Sequence, residues 1–153
     1  QYKKRKGISR MEDLPITKRI LRYIEDHLED QPVKELSLEN IAKELSYSKF
    51  YIARTFKSHT GVTIYKYIQG RCLDEAAKKL VETDQPIVEI AFEAGYSSQQ
   101  AFTQAFRHTY TCTPQEYRRV GIYMPKQDRI GRSGKEILHA AFVFEMTGGR
   151  TAS

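Results

Sequence analysis

Gln99, Gln100, Thr103, Gln104 and Arg107 recur at helical spacing within AFEAGYSSQQAFTQAFR, residues 91–107, with no acid among them. Amide, hydroxyl and guanidinium groups along one helix face can hydrogen-bond to base edges. Gln pairs bidentately with adenine and Arg with guanine, and a Thr or Phe surface packs on a thymine methyl. A carboxylate there would repel the phosphate backbone. An ordinary solvated helix mixes both charge signs on its polar face, so this face is suited to a polyanionic partner. A second face of the same kind lies earlier in the chain: Lys49, Phe50, Ala53, Arg54 and Lys57, again without an acid.

Hydrophobic period and breakers place both faces on helices. Ile16, Ile20, Tyr23, Ile24 and Leu28 recur at three and four residues and predict a first helix over about 15–29, closed by Pro32. Ser37 is an N-cap before a short helix over 38–45, with Glu39 in the first turn where the helix dipole favours it. A turn at 46–48 leads to a helix over 49–59 closed by Gly61. One long helix is expected over 63–83, in which Gly70 permits a local kink. Pro86 suits the first position of the next helix, 86–94. A helix over 98–109 follows, and Thr113 to Glu116 form a capping box for the last one. Beyond Arg119 the pattern dissolves into a glycine-punctuated tail, in which the apolar stretch 137–146 has no assigned role.

An internal repeat organises these elements, since residues 37–67 overlay residues 86–117. Ile41-Ala42 meets Ile90-Ala91 and Tyr47 meets Tyr96; after one extra residue in the second turn, Ile52 meets Phe102, Phe56 meets Phe106 and Tyr67 meets Tyr117. The inward stripes, Ile41, Leu45, Ile52 and Phe56 in one copy and Ile90, Ala94, Phe102 and Phe106 in the other, read as packing. The acid-free faces are on the opposite side. The expected fold is all-α: two helix-turn-helix subdomains, 14–62 and 84–120, joined by a linker helix, 63–83, with a flexible basic arm at 1–13 and a tail at 121–153.

Composition excludes other classes. The chain has 153 residues, 40% of them hydrophobic and 29% charged, which suits a globular domain or two very small ones. Residues 1–10 carry five cations and no acid, so the rest of the chain accounts for only one of the six net positive charges. Such an arm grips phosphates without sequence preference. Cys72 and Cys112 are too few for a disulfide framework, and with His27, His59, His108 and His139 they share no metal-ligand spacing. No metal or cofactor is expected. With no bilayer-length apolar run and no secretory signal, the chain reads as cytoplasmic and free of the membrane. Gln1 opens the chain and the first Met is Met11, so the native start is expected elsewhere.

Specific motifs carry a resemblance. The Gly95-Tyr96-Ser97 turn, the run from Gln99-Gln100 to Phe106, the Thr113-Pro114-x-x-Tyr117-Arg118 ending and the Ser-Lys-x4-Arg-x-Phe-Lys-x3-Gly pattern at 48–61 resemble the AraC/XylS family of bacterial transcription regulators. The match covers about residues 14–120 and is nearest the branch of MarA, SoxS and Rob. It implies recognition helices at 49–58 and 98–108 held apart by helix 63–82. About 20 residues at 1.5 Å each span roughly 30 Å, near the ~34 Å between successive major-groove segments. A monomer would then read two adjacent grooves of double-stranded DNA at promoters. The resemblance places base reading at Phe50, Ala53, Arg54, Gln99, Gln100, Thr103 and Gln104. Ala53 departs from the family's polar residue there, and Gln104 stands where relatives are often basic. Gly70 and Cys72 also replace larger or basic residues. Lys49, Lys57 and Arg107 are assigned to phosphates. Activation through RNA polymerase is implied by the resemblance alone.

Two arrangements fit the resemblance: a stand-alone regulator, or the DNA-binding part of a larger, effector-controlled regulator like Rob. An enzyme using helix-turn-helix units for targeting would need clustered acids or an activated nucleophile. The acids of helix one and the linker read instead as solvated faces, and Tyr51, Tyr65 and Tyr67 as packing or groove contacts. No enzyme activity is therefore expected. A protein-interaction adaptor would lack the salt dependence of phosphate contacts.

Overall fold

The computed structural model describes residues 10–29 and 36–127. Among them are seven helices and no strand: α1 (Arg10–Leu28), α2 (Leu38–Leu45), α3 (Lys49–Thr60), α4 (Ile64–Glu82), α5 (Ile87–Glu93), α6 (Gln99–Tyr110) and α7 (Pro114–Val120). The basic cluster at 3–6, Pro32 and the stretch 137–146 lie outside the described residues. The described chain divides into two units, residues 10–26 with 36–67, and residues 27–29 with 68–127.

In the first unit, α1 begins at Arg10, ahead of the expected start, and contains Pro15. The apolar period starts only at Ile16, so the turn before it carries no sequence signal. Ile16, Ile20, Leu21 and Ile24 of α1, Ile41, Ala42 and Leu45 of α2, and Tyr51, Ile52 and Phe56 of α3 are buried, with Ile64 and Tyr67 from the start of α4. The Phe56 and Tyr67 rings lie 5.7 Å apart, and the Tyr67 hydroxyl donates to Glu25 at 2.9 Å. Full burial of each large apolar side chain contributes about 1.5–3 kcal/mol, which is what orients α3.

The second unit repeats the turn between the two helices and the cap that follows it. The Tyr47 N–H donates to Ala42 O at 3.1 Å, and its counterpart Tyr96 to Ala91 O at 3.0 Å. Ser48 caps α3 and Ser98 caps α6, so the extra residue of the second turn falls between Tyr96 and Ser98. The turn needs a left-handed residue after its first helix: Gly95 supplies it at φ 93°, whereas Ser46 adopts φ 61°, a conformation costing about 1–2 kcal/mol for a side chain with a Cβ. Pro86 stands as the N-cap of α5, one position earlier than expected. The core joins Leu73, Ala76, Ala77 and Leu80 of α4 with Ile90 and Ala91, Phe102, Phe106 and Tyr110, and Tyr117.

Arg118 closes this unit from α7, the last helix among the described residues. Its guanidinium donates to Leu80 O at 3.0 Å, Thr83 O at 3.2 Å and Gln85 O at 2.7 Å. These carbonyls belong to the last turn of α4 and the segment after it, where a helix leaves acceptors unsatisfied. Arg118→Ala is expected to lower stability by about 1.5–3 kcal/mol, read by urea unfolding followed by circular dichroism. An unchanged midpoint would mean that water satisfies these carbonyls equally well.

Asp74, which the sequence places with the linker acids on a solvated face, is instead fully buried. Its carboxylate accepts from the Tyr110 hydroxyl and from the N–H groups of Lys126 at 3.0 Å and Gln127 at 2.9 Å. Arg71 Nη1 lies 3.8 Å away. Burial pushes the Asp74 carboxyl above its ordinary range, opposed by the Tyr110, Lys126 and Gln127 hydrogen bonds and by the Arg71 charge. Burial, and then the bond to Asp74, push the Tyr110 hydroxyl up as well. Residues 122–127, which lack periodicity, are thereby fastened to the unit. Met124 N–H also donates to the Tyr117 hydroxyl at 2.7 Å. Gly70 shows no break in α4; a Cβ there would come within 2.7 Å of Gln127 Oε1 and 2.9 Å of Gln127 Cβ. Its smallness admits the returning chain.

Candidate nucleic-acid interface

The framework turns one face of α3 and one of α6 outward. On α3, Ser48 accepts the Tyr51 N–H at 3.1 Å, and the inward residues Ile52 and Phe56 are fully buried. The opposite side then presents Lys49, Arg54 and Lys57 exposed and Ala53 half-buried. Phe50 is 75% exposed, although burial is the usual fate of a phenyl ring. On α6, Ser98 accepts the Ala101 N–H at 3.0 Å, and Phe102, Phe106 and Tyr110 point inward. Gln99, Gln100, Gln104 and Arg107 are exposed and Thr103 is half-buried. All ten residues singled out from sequence thus lie on these two outer faces, five on each helix, and none is buried.

Neither α3 nor α6 holds an acid anywhere along its length. Helix N-termini carry partial positive charge and usually recruit an acid; α2, α5 and α7 each do so, with Glu39, Glu89 and Glu116. Helices α3 and α6 carry no acid in the first turn, and neither does α4. An N-terminus left without its own carboxylate, with polar side chains beside it, can receive a phosphate. Lys49 Nζ lies 3.7 Å from Glu39 Oε2 in an exposed pair, and such pairs contribute only about 0.2–1 kcal/mol. Lys49 can therefore exchange that partner for a phosphate readily.

Elsewhere the acids serve the fold. Burial alone would raise the Glu93 carboxyl, but hydrogen bonds from Lys79 at 2.5 Å and Gln85 at 2.8 Å hold it below its usual range. The Thr113 N–H and hydroxyl hold Glu116 low in the capping box. Among the described residues there is no cluster of three or more His, Cys, Asp or Glu able to hold a metal ion, and no helix long and apolar enough to cross a membrane. Sequence reasoning missed the Asp74–Tyr110 pair. The available signal was an acid inside the apolar period of α4, next to Leu73 and three residues before Ala77.

A family model described as a helix-turn-helix domain matches residues 41–120. Regulatory protein SoxS of Salmonella typhimurium is 40% identical over 103 residues, which cover 67% of this chain and 92% of SoxS. The chain belongs to the AraC/XylS family of bacterial transcription regulators. Within it, the similarity is to the branch of MarA, SoxS and Rob. Transcriptional regulator Rob of the same organism is 42% identical over 109 residues, 71% of this chain and 36% of Rob, so the chain spans about a third of that relative's length. Among solved structures, the C-terminal domain of AraT, a response regulator from Geobacillus stearothermophilus, matches with a TM-score of 0.64 at 30% identity, covering 78% of this chain and 96% of that domain. AraC-family members are regulators rather than enzymes, and the all-helical architecture is theirs.

Proposed function

We propose that this chain is a sequence-specific, DNA-binding transcription activator that reads two adjacent major-groove segments as a monomer, one with α3 and one with α6. The observation that carries this reading is that α3 and α6 hold no acid anywhere along their length, whereas α2, α5 and α7 place one in the first turn and α4 carries Asp74, Glu75 and Glu82. Arg54, Gln99, Gln100, Thr103 and Gln104 supply hydrogen-bonding groups for base edges, while Phe50 and Ala53 supply apolar surface for thymine methyls. Lys49, Lys57 and Arg107 hold phosphates on either side. Subdomains at 14–62 and 84–120, joined by a linker helix at 63–83, suit a bipartite site. The work is cytoplasmic, and activation proceeds through contact with RNA polymerase.

The first test is selection of bound duplexes from a random library, followed by titration of the winner against scrambled DNA at two salt concentrations. Two base-conserved segments about 10 base pairs apart are expected. Weak, purely salt-sensitive binding with no enriched sequence would overturn the reading. Salt-insensitive binding to protein alone would identify an adaptor. Arg54→Ala and Gln100→Ala should each relax preference at particular bases by about 1–3 kcal/mol. Lys57→Ala should weaken binding to every sequence and reduce the salt slope by about one. Identical behaviour of the two kinds of variant would refute the division into base readers and phosphate holders.

A further inference from the structure

Three parts of the second unit converge on one carboxylate. Tyr110 closes α6 and gives its hydroxyl to Asp74 of α4, while the returning chain adds the N–H groups of Lys126 at 3.0 Å and Gln127 at 2.9 Å. Tyr110 also stacks on Phe106 with ring centroids 4.5 Å apart, and the Lys126 ammonium lies 5.9 Å from the Tyr110 ring centroid. Phe102, Phe106 and Tyr110 pack α6 inward along its length, and the Tyr110 hydroxyl ties its last residue to Asp74. A 12-residue helix is a lever about 18 Å long, and a tilt of about 3° about its Tyr110 end moves Gln99 and Gln100 at the other end by about 1 Å. Base contacts tolerate less than that, since hydrogen bonds to base edges need donor and acceptor within about 2.7–3.2 Å.

We propose that residues 122–127 act as a strap which, through Asp74 and Tyr110, sets the angle of α6, making Asp74, Tyr110 and Gly70 positioning residues for base reading. This rests on the assignment of α6 as a reader. Gly70 belongs to the same device because any side chain there pushes Gln127, and with it the strap, away from α4. Neither Gly70 nor Tyr110 touches the outer face of α6, so their effect on base preference passes through the angle of the helix.

The test uses the full chain and duplexes carrying single-base changes in each segment of the selected site; the segment read by α6 is identified as the one where Gln100→Ala alters preference. Tyr110→Phe removes only the hydroxyl, and Gly70→Ala adds only the intruding Cβ. Both are measured where circular dichroism shows full helical content. Discrimination in the α6 segment is expected to fall about fivefold or more, discrimination in the α3 segment to hold, and Gly70→Ala/Gln127→Gly to restore what Gly70→Ala loses. Fully folded variants that discriminate like the parent, or that lose preference equally in both segments, overturn the strap while leaving the reader assignment standing. A parent chain with no base preference overturns both.

Discussion

Phe106→Ala is expected to cost the second unit about 3–5 kcal/mol. The Phe106 ring is fully buried and lies at the centre of an aromatic cluster, 5.6 Å from Phe102, 4.5 Å from Tyr110 and 5.4 Å from Tyr117 between centroids. Rings are stiff, so three neighbours of this kind cannot collapse into the space a phenyl leaves behind. A whole domain is stable by only about 5–15 kcal/mol, so the variant should populate a chain whose second unit is open. Denaturant unfolding should show a transition moved to lower urea. DNA binding should keep the preference set by α3 and lose that set by α6. A shift smaller than about 1 kcal/mol would mean that the cluster repacks, contrary to the geometry just described.

Asp74→Ala is expected to have an effect of similar size, about 3–5 kcal/mol, because three donors lose one shared acceptor and each stranded donor costs about 1–3 kcal/mol. The Tyr110 hydroxyl and the N–H groups of Lys126 and Gln127 lose their acceptor, and the buried Arg71 keeps Glu75, 3.0 Å away. The pH dependence has a definite sign. Burial raises the folded-state value of Asp74 above 3.8, so the folded chain holds this proton to higher pH than the unfolded chain does. Its contribution is therefore greatest below pH 3.8 and declines as pH rises through the folded-state value. The stability gap between the parent and Asp74→Ala should narrow over that interval. A gap that widens there would show that the hydrogen bonds outweigh burial.

Helices were legible in the sequence wherever an apolar period met a cap. Ser37, Ser48, Ser98 and Thr113 each cap the helix that follows, and Ile52, Phe56, Phe102 and Phe106 are all fully buried as their spacing implies. The outer faces were legible for the same reason, being what remains once the inward stripe is assigned. Tertiary polar contacts were not. Asp74 stands inside the apolar period of α4 and is fully buried, unlike the exposed Glu82 of the same helix, but local pattern does not say what its carboxylate meets, because the partners come from Tyr110 and from chain some fifty residues away. Arg118 likewise reads as one of two adjacent arginines until its three carbonyl partners are seen. Residues 122–127 lack periodicity because they are held by backbone N–H groups, which every residue but proline has.

The hydrogen-bond framework shared by the two halves has a consequence for the proposed targets. Ala42 with Tyr47 matches Ala91 with Tyr96, and Ser48 matches Ser98, yet the outer faces differ: Arg54 stands where the other helix has Gln104, and Ala53 where it has Thr103. Common scaffolding leaves each face free to diverge without disturbing the other. A single chain bearing two unlike faces has a polarity, and so does any DNA sequence it selects. Inverting such a site within a promoter would not regenerate it; it would turn the bound regulator end for end and present a different surface to the transcription machinery. For a regulator of this kind, the direction of a site carries information alongside its sequence and its distance from the start of transcription.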